Sequence, residues 1–595
     1  LQNQAGMTER RQDGAARRKW LGALERGAAA ARRPDATLAA LVAERAALAP
    51  DAPALLSDDM SMTYGDLAAQ ANRTARWALA REIRSGDVVC LLMENCPNYV
   101  AIWLGITQVG GVVALLNTNL DGRALAHCAR AAAPRHVIAG ANFVAGLRTM
   151  ARDLGPHATC WLDGADDPDF RRLDTDIERL ESGELRATEA PSPTMRDTAL
   201  LIYTSGTTGL PKAARISHAR LTEWSHWFAG MMNVTPRDRM YNCLPMYHSV
   251  GGVVAVGALL VSGGAVAIRR HFSARYFWDD IAAFDCTLFQ YIGELCRYLV
   301  NAPPHPLERA HRLRLCCGNG LRGDVWERFQ ARFAIPDILE FYAATEGNVT
   351  LYNCEGRPGA IGRVPGFLAH RIAIALIRTD PETNEPHRDG LGQCVACGPD
   401  EPGEAIGRIR GGNFEGYTDA EATERKILRD VFAPGDAWFR TGDLMRKDAA
   451  GFYFFVDRLG DTFRWKGENV STAEVAGVIA ACPGVIDAVV FGVAVPGAEG
   501  RAGMAAIAAD ASFRLDVLHR HVGAHLPDYA RPRFVRLCGE IARTGTFKLT
   551  KAALAREGYG ANHTGDPCYV QDPARGTYVV IDAAMRARIE AGMRL

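Results

Sequence analysis

Short apolar runs alternate with longer segments of helical period through the first part of the chain. Thr37 to Arg45 reads as a helix, and Met62 to Asn72 as strand, cap and helix. Val88 to Met93 is a strand run, Asn98 to Gln108 an apolar helix behind Pro97, and Val112 to Leu116 a further strand. The alternation recurs at Val137-Ile138, Ala199–Tyr203, Met240-Tyr241, Arg314-Leu315 and Ile338–Phe341. Buried strands separated by helices predict a mainly parallel α/β sheet covered on both faces. From Gly403 the strands are shorter and separated by glycine turns, as in Glu404–Arg410 and Gly451–Val456, which predicts a β subdomain. Val456–Asp461 is a polar break, and enough chain follows it for a small α+β domain. The expected organisation is a flexible segment over 1–33, a large α/β domain over 34–458, a hinge at 459–461 and a small mobile domain over 462–595. Residues 163–197 and 379–403 read as polar surface excursions. The longest apolar stretch, Met246 to Ile268, holds five glycines and breaks at Ser262-Gly-Gly264, so it predicts a buried helix followed by a strand, not a membrane span.

Composition adds limits. The 595 residues exceed one ordinary core, and 48% hydrophobic with 23% charged residues describes a soluble globular protein. Lys+Arg and Asp+Glu both number 68, which leaves no overall electrostatic footprint for nucleic acid. The fifteen cysteines are scattered, with one Cys394-Val-Ala-Cys397 pair and no second pair at zinc-finger spacing, as expected for thiols in a reducing compartment. Leu1 to Arg18 is polar, without the apolar core of a secretory signal.

The chemistry concentrates where the periodicity fails. After the strand run Ala199–Tyr203 come Thr204, Ser205, Gly206, Thr207, Thr208, Gly209, Pro211 and Lys212. Glycines let backbone N–H groups approach an anion, hydroxyls add donors, and a lysine supplies a point charge suited to phosphate. The spacing does not fit a Walker A loop, because Pro211 precedes the lysine. Glu346 ends a strand run, where an α/β sheet binds its ligands. Asp443 lies in a glycine turn after Trp438, and Cys317-Gly318-Asn319-Gly320 forms another such turn.

Tyr203-Thr-Ser-Gly-Thr-Thr-Gly-Leu-Pro-Lys212 resembles the nucleotide loop of the adenylate-forming superfamily, which holds acyl-CoA synthetases, firefly luciferase and peptide-synthetase adenylation domains. Longer strings, among them Leu288–Leu299, Gly318–Trp326, Glu340–Asn348, Phe455–Ser471 and Thr544–Lys548, are similar to the fatty-acid transport protein, or very-long-chain acyl-CoA synthetase, group. The resemblance runs from about Thr63 to the tail and implies a role for each motif. Thr204 and Lys212 with the rest of the loop would hold ATP phosphates, and Glu346 would hold Mg²⁺. Gly318, Asn319, Gly320, Tyr342, Ala343 and Thr345 would line the nucleotide pocket, and Asp443 with Arg458 would take the ribose. His248, in Leu244-Pro-Met-Tyr-His248, would shape the carboxylate pocket, although a core histidine is the competing reading. Lys466 and Gly467 would face the active site during thioester formation, and Gly460 would be the hinge glycine. The catalytic lysine would be Lys548 or Lys551, the spacing to the Thr544-Gly545 turn favouring Lys548.

The implied reaction is ATP-dependent ligation of a long- or very-long-chain fatty acid to coenzyme A through an acyl-AMP intermediate. Alternatives are a bulky cyclic acid as substrate, a carrier protein as acceptor, or fatty-acid uptake without turnover. The chain departs from animal members of the group in showing no N-terminal membrane helix. A cytoplasmic enzyme is expected, with peripheral association at the inner face of the membrane and a homodimer left open.

Overall fold

The computed structural model describes residues 2–33, 35–204, 211–380, 383–411, 414–466, 468–496, 498, 500–541, 551–560 and 565–593. They form two compact units, one of Leu1–Val364 with Ile409–Lys426, the other of Pro365–Arg408 with Ile427–Leu595.

The first unit is the expected α/β body. One of its sheets runs in the order Arg171–Arg172, Thr159–Asp163, His136–Gly140, Val88–Leu92, Val112–Leu115, Thr198–Thr204 and Lys212–Ser217. All neighbours are parallel except the last pair, Thr198–Thr204 with Lys212–Ser217, which is antiparallel. In the other, the strands Ile338–Ala343, Leu315–Asn319, Leu288–Ile292, Arg239–Asn242, Ala265–Ile268 and Pro53–Leu56 lie side by side and parallel. Strands buried on both faces read as continuous apolar runs, and Val88–Leu92 and Val112–Leu115 are buried almost throughout. Met246 to Ile268 takes the expected form, a π-helical turn Ser249–Val254, a helix Ala255–Leu260 and a strand Ala265–Ile268. Among the described residues no helix is long and apolar enough to cross a membrane.

Residues 1–33 differ from expectation. Gln2–Ala31 is a helix, and Ala16, Trp20 and Ala23 on one of its faces are buried. Trp20 packs edge-on to Trp227 and Tyr352, Lys19 pairs with Asp337 at 2.7 Å, and Arg26 donates to Ser262 at 2.8 Å. Its partner is the helix His218–Met231, approached so closely that a Cβ on Gly230 would meet Ala23 Cα at 2.4 Å. The stripe is built mostly of alanine and glycine, too weakly apolar to stand out from the arginines around it.

The second unit holds an antiparallel ladder of Ile374–Ile377, Gly403–Arg408, Ala437–Lys447 and Phe452–Arg458. It also holds a sheet in the order Val485–Val493, Ala502–Ala509, Phe534–Cys538, Cys568–Asp572 and Thr577–Val580. The latter sheet and the helices Thr472–Ala480 and Leu515–His525 close around their own core, which includes Ile479, Met504, Ile507, Leu518 and Phe534. All fifteen cysteines are free thiols.

Candidate active site

The nucleotide loop is the connection of an antiparallel strand pair. Thr204 is the last residue of Thr198–Thr204 and Lys212 the first of Lys212–Ser217, and the two face each other across the ladder. Both ends of the loop are thus fixed by sheet hydrogen bonds. Ser205, Gly206, Thr207, Thr208 and Gly209 lie outside the described residues, as do Gly467 and Lys548.

Glu346 follows the strand Ile338–Ala343, whose end carries Tyr342 and Ala343. Its Oε1 accepts a hydrogen bond from the Tyr417 hydroxyl at 2.7 Å. Lys212 Nζ lies 5.9 Å from the centre of the same tyrosine's ring, and Thr204 faces Lys212 across the ladder. Lys212 and Glu346, predicted from two separate motifs, therefore converge on one tyrosine that sequence reasoning passed over. Tyr417 is held by the strand beside it, with Ala214 as its bridge partner and Thr418 N donating to Ala213 O at 2.9 Å. Among the described residues Lys212 forms no ion pair, and Glu346 Oε2 accepts no hydrogen bond. A positive charge and a carboxylate oxygen are thus left for a ligand.

Behind them, Arg220 is buried and donates to Gly347 O, which anchors the backbone next to Glu346. Ser217 caps the helix carrying Arg220, and its N–H and hydroxyl both donate to Glu415, two residues before Tyr417. Thr345 shares a hydrogen bond of 3.0 Å with Ser249, the residue after His248. The His248 ring packs on Tyr247 at 4.5 Å, directly before the π-helical turn, a distortion frequent at functional sites. The His248 turn and the Tyr342–Glu346 segment are therefore joined.

The turn Gly318–Gly320 is built for close backbone approach. A Cβ on Gly318 would meet Tyr291 O at 2.2 Å, and Gly320 has φ +78°. Under it lies Glu340, fully buried, which accepts from Leu321 N at 3.0 Å and from the Tyr291 hydroxyl. Burial pushes the Glu340 carboxyl up to about 8.

The remaining predicted residues belong to the second unit. Asp443 and Arg458 are register partners on adjacent strands, with Arg458 Nε 3.8 Å from Asp443 Oδ1. The turn before Asp443 is fixed by Asp443 N donating to Thr441 Oγ1 at 3.0 Å and Gly442 N donating to Glu404 at 3.2 Å. Lys466 has φ +53° and lies 3.7 Å from Asp528. Gly460 has φ +89°, a conformation glycine alone adopts readily. Lys551 Nζ donates to Asp461 at 2.9 Å and to Thr472 Oγ1 at 2.6 Å.

A glycine- and hydroxyl-rich connection on an α/β sheet, with a lysine and a carboxylate brought to one tyrosine, suits the binding of a phosphate-bearing nucleotide. The chain belongs to the AMP-binding enzyme family. That family's model matches residues 42–417, and the model of the AMP-binding enzyme C-terminal domain matches 474–548. The chain is 40% identical to long-chain fatty acid transport protein 1 of Mus musculus over 545 residues, covering 90% of this chain and 84% of that one. It is 38% identical to medium/long-chain-fatty-acid–CoA ligase FadD6 of Mycobacterium tuberculosis over 576 residues, covering 94% and 93%. Among solved structures, the fold matches ATP-bound MatB from Rhodopseudomonas palustris (TM-score 0.72, 25% identity, 87% of this chain and 98% of that one). It also matches the anthranilate CoA ligase AuaEII in complex with anthranoyl-AMP (TM-score 0.76, 19% identity, 88% and 97%). The resemblance carried by the sequence motifs and the α/β fold class both hold.

Proposed function

We propose that the chain joins a long- or very-long-chain fatty acid to coenzyme A, with ATP cleaved to AMP and pyrophosphate. The observation that carries this reading is the convergence of Lys212 and Glu346 on Tyr417, with Thr204 facing Lys212 across the ladder, in a chain 40% identical to a long-chain fatty acid transport protein.

In the first half-reaction a carboxylate oxygen bonds to the α-phosphorus of ATP and the bond to pyrophosphate breaks. Two anions must meet, so the barrier is lowered mainly by positioning and fixed positive charge. Lys212 and the hydroxyls from Thr204 to Thr208 hold the departing pyrophosphate. Gly318–Gly320 with Tyr342, Ala343 and Thr345 line the adenine side, and Asp443 with Arg458 take the ribose hydroxyls. His248 borders the carboxylate. No group of three or more metal-ligating side chains occurs among the described residues. One carboxylate with an oxygen left over fits Mg²⁺, which keeps several waters and takes most of its ligands from phosphates. When bound, the ion offsets phosphate charge; Glu346 is the residue that would hold it.

Lys548 is the lysine that bridges carboxylate and α-phosphate. The alternative, Lys551, already has its ammonium committed to Asp461 and Thr472. In the second half-reaction the coenzyme A sulfur bonds to the acyl carbon, AMP leaves and the thiol proton is released. The small domain, 462–595, turns about Gly460, withdrawing Lys548 and presenting Lys466 and Gly467, a closure of the kind that sets many turnover rates. The two lysines separate in one experiment. Lys548→Ala abolishes acyl-AMP formation but spares thioester formation from supplied acyl-AMP, whereas Lys551→Ala leaves acyl-AMP formation in place. Equal loss of both half-reactions in Lys548→Ala, or loss of adenylation in Lys551→Ala, contradicts the assignment.

A further inference from the structure

Tyr417 is 7% exposed and its backbone is fixed, with Ala214 as bridge partner and its N–H donating to Thr423 Oγ1 at 3.0 Å. The phenol therefore cannot follow Glu346; the carboxylate must take its direction from the phenol. The ring packs with Ala214 and Ala422, which accounts for an aromatic there but not for a hydroxyl. The hydroxyl has work elsewhere, because it meets Glu346 Oε1 while the ring lies within cation–π reach of Lys212. With Oε1 engaged, Oε2 is the oxygen left for a ligand.

We propose that Tyr417 is a positioning residue that orients Glu346 for the magnesium of Mg·ATP, beside Lys212 at the end of the nucleotide loop. The inference rests on the reading of Glu346 as the magnesium-holding carboxylate. Partners that orient a metal ligand through a hydrogen bond contribute on the order of 10–100-fold in metal affinity.

The test is calorimetric titration of the full chain, without any carboxylic acid, by Mg·ATP and separately by ATP in EDTA. The proteins are the wild type, Tyr417→Phe, Glu346→Gln and the double variant. Phenylalanine keeps the ring, so Tyr417→Phe is expected to melt with the wild type. It should bind Mg·ATP about tenfold more weakly, bind ATP in EDTA unchanged, and, in a separate assay with a long-chain fatty acid supplied, recover pyrophosphate release at raised Mg²⁺. The double variant should be no weaker than Glu346→Gln. Wild-type Mg·ATP affinity in Tyr417→Phe beside a weakened Glu346→Gln overturns this inference alone, as does an equal loss for both forms of ATP. Wild-type affinity in Glu346→Gln overturns the magnesium reading and this inference with it.

Discussion

At the residue scale, Glu340 shows how a group remote from the reacting atoms shapes the site. Its carboxyl is sealed between the Tyr291 hydroxyl and Leu321 N, beneath the turn Gly318–Gly320. Burial raises it from 4.5 to about 8, so between those values the folded chain binds a proton that the unfolded chain releases. The stability that this neutral carboxyl contributes is therefore full below about 4.5 and is lost as pH rises through about 8. Melting temperatures measured at intervals from about pH 5 to about pH 8 should fall more steeply in the wild type than in Glu340→Gln, which cannot titrate; parallel slopes would contradict this. Thr204 and Lys212 stand out in the sequence because their neighbours break every regular period, and Glu346 because it follows a strand run in a motif that resembles one of the superfamily's. Tyr417 and Glu340 were not. Tyr417 finds Glu346 from 71 positions away, and Glu340 finds Tyr291 from 49, so their roles are set by strand pairing and leave no local signal.

At the scale of elements, the strands and helices of the α/β body could be read from apolar runs because burial on both faces removes the polar alternation. The helix Gln2–Ala31 could not, since its buried face is small residues and its stability comes from close approach to His218–Met231. That approach makes a prediction. A Cβ at Gly230 would fall 2.4 Å from Ala23 Cα and 2.5 Å from Gly22 O, both backbone atoms that cannot swing aside. Gly230→Ala should cost about 1–3 kcal/mol, the range for overpacking a tight contact. At Gly22 the nearest atom to a Cβ is Gly230 O at 3.2 Å, so Gly22→Ala should cost less. Denaturant midpoints measure both, and an unchanged midpoint in Gly230→Ala would mean that the two helices do not pack as described. The polar interruption at 459–461 coincides with no boundary between the two units, because the strands before it pair with one another inside the second unit, a long-range outcome that composition does not reveal.

At the scale of the whole molecule, the residues assigned from motifs fall in both units. The first carries Thr204, Lys212, His248 and Glu346, and the second carries Asp443, Arg458, Lys466 and the segment with Lys548. The class of reaction was legible because its motifs are long and chemically specific. The acid was not, because a hydrophobic pocket discriminates a methylene by only about 1–3 kcal/mol and its depth depends on packing across many elements. The measurement that tests the account most directly is pyrophosphate release from Mg·ATP across a panel of carboxylic acids, with and without coenzyme A. Release with long-chain fatty acids that turns over repeatedly only when coenzyme A is present is the predicted result. No release with any fatty acid, or repeated turnover only with an acyl carrier protein as acceptor, would contradict it.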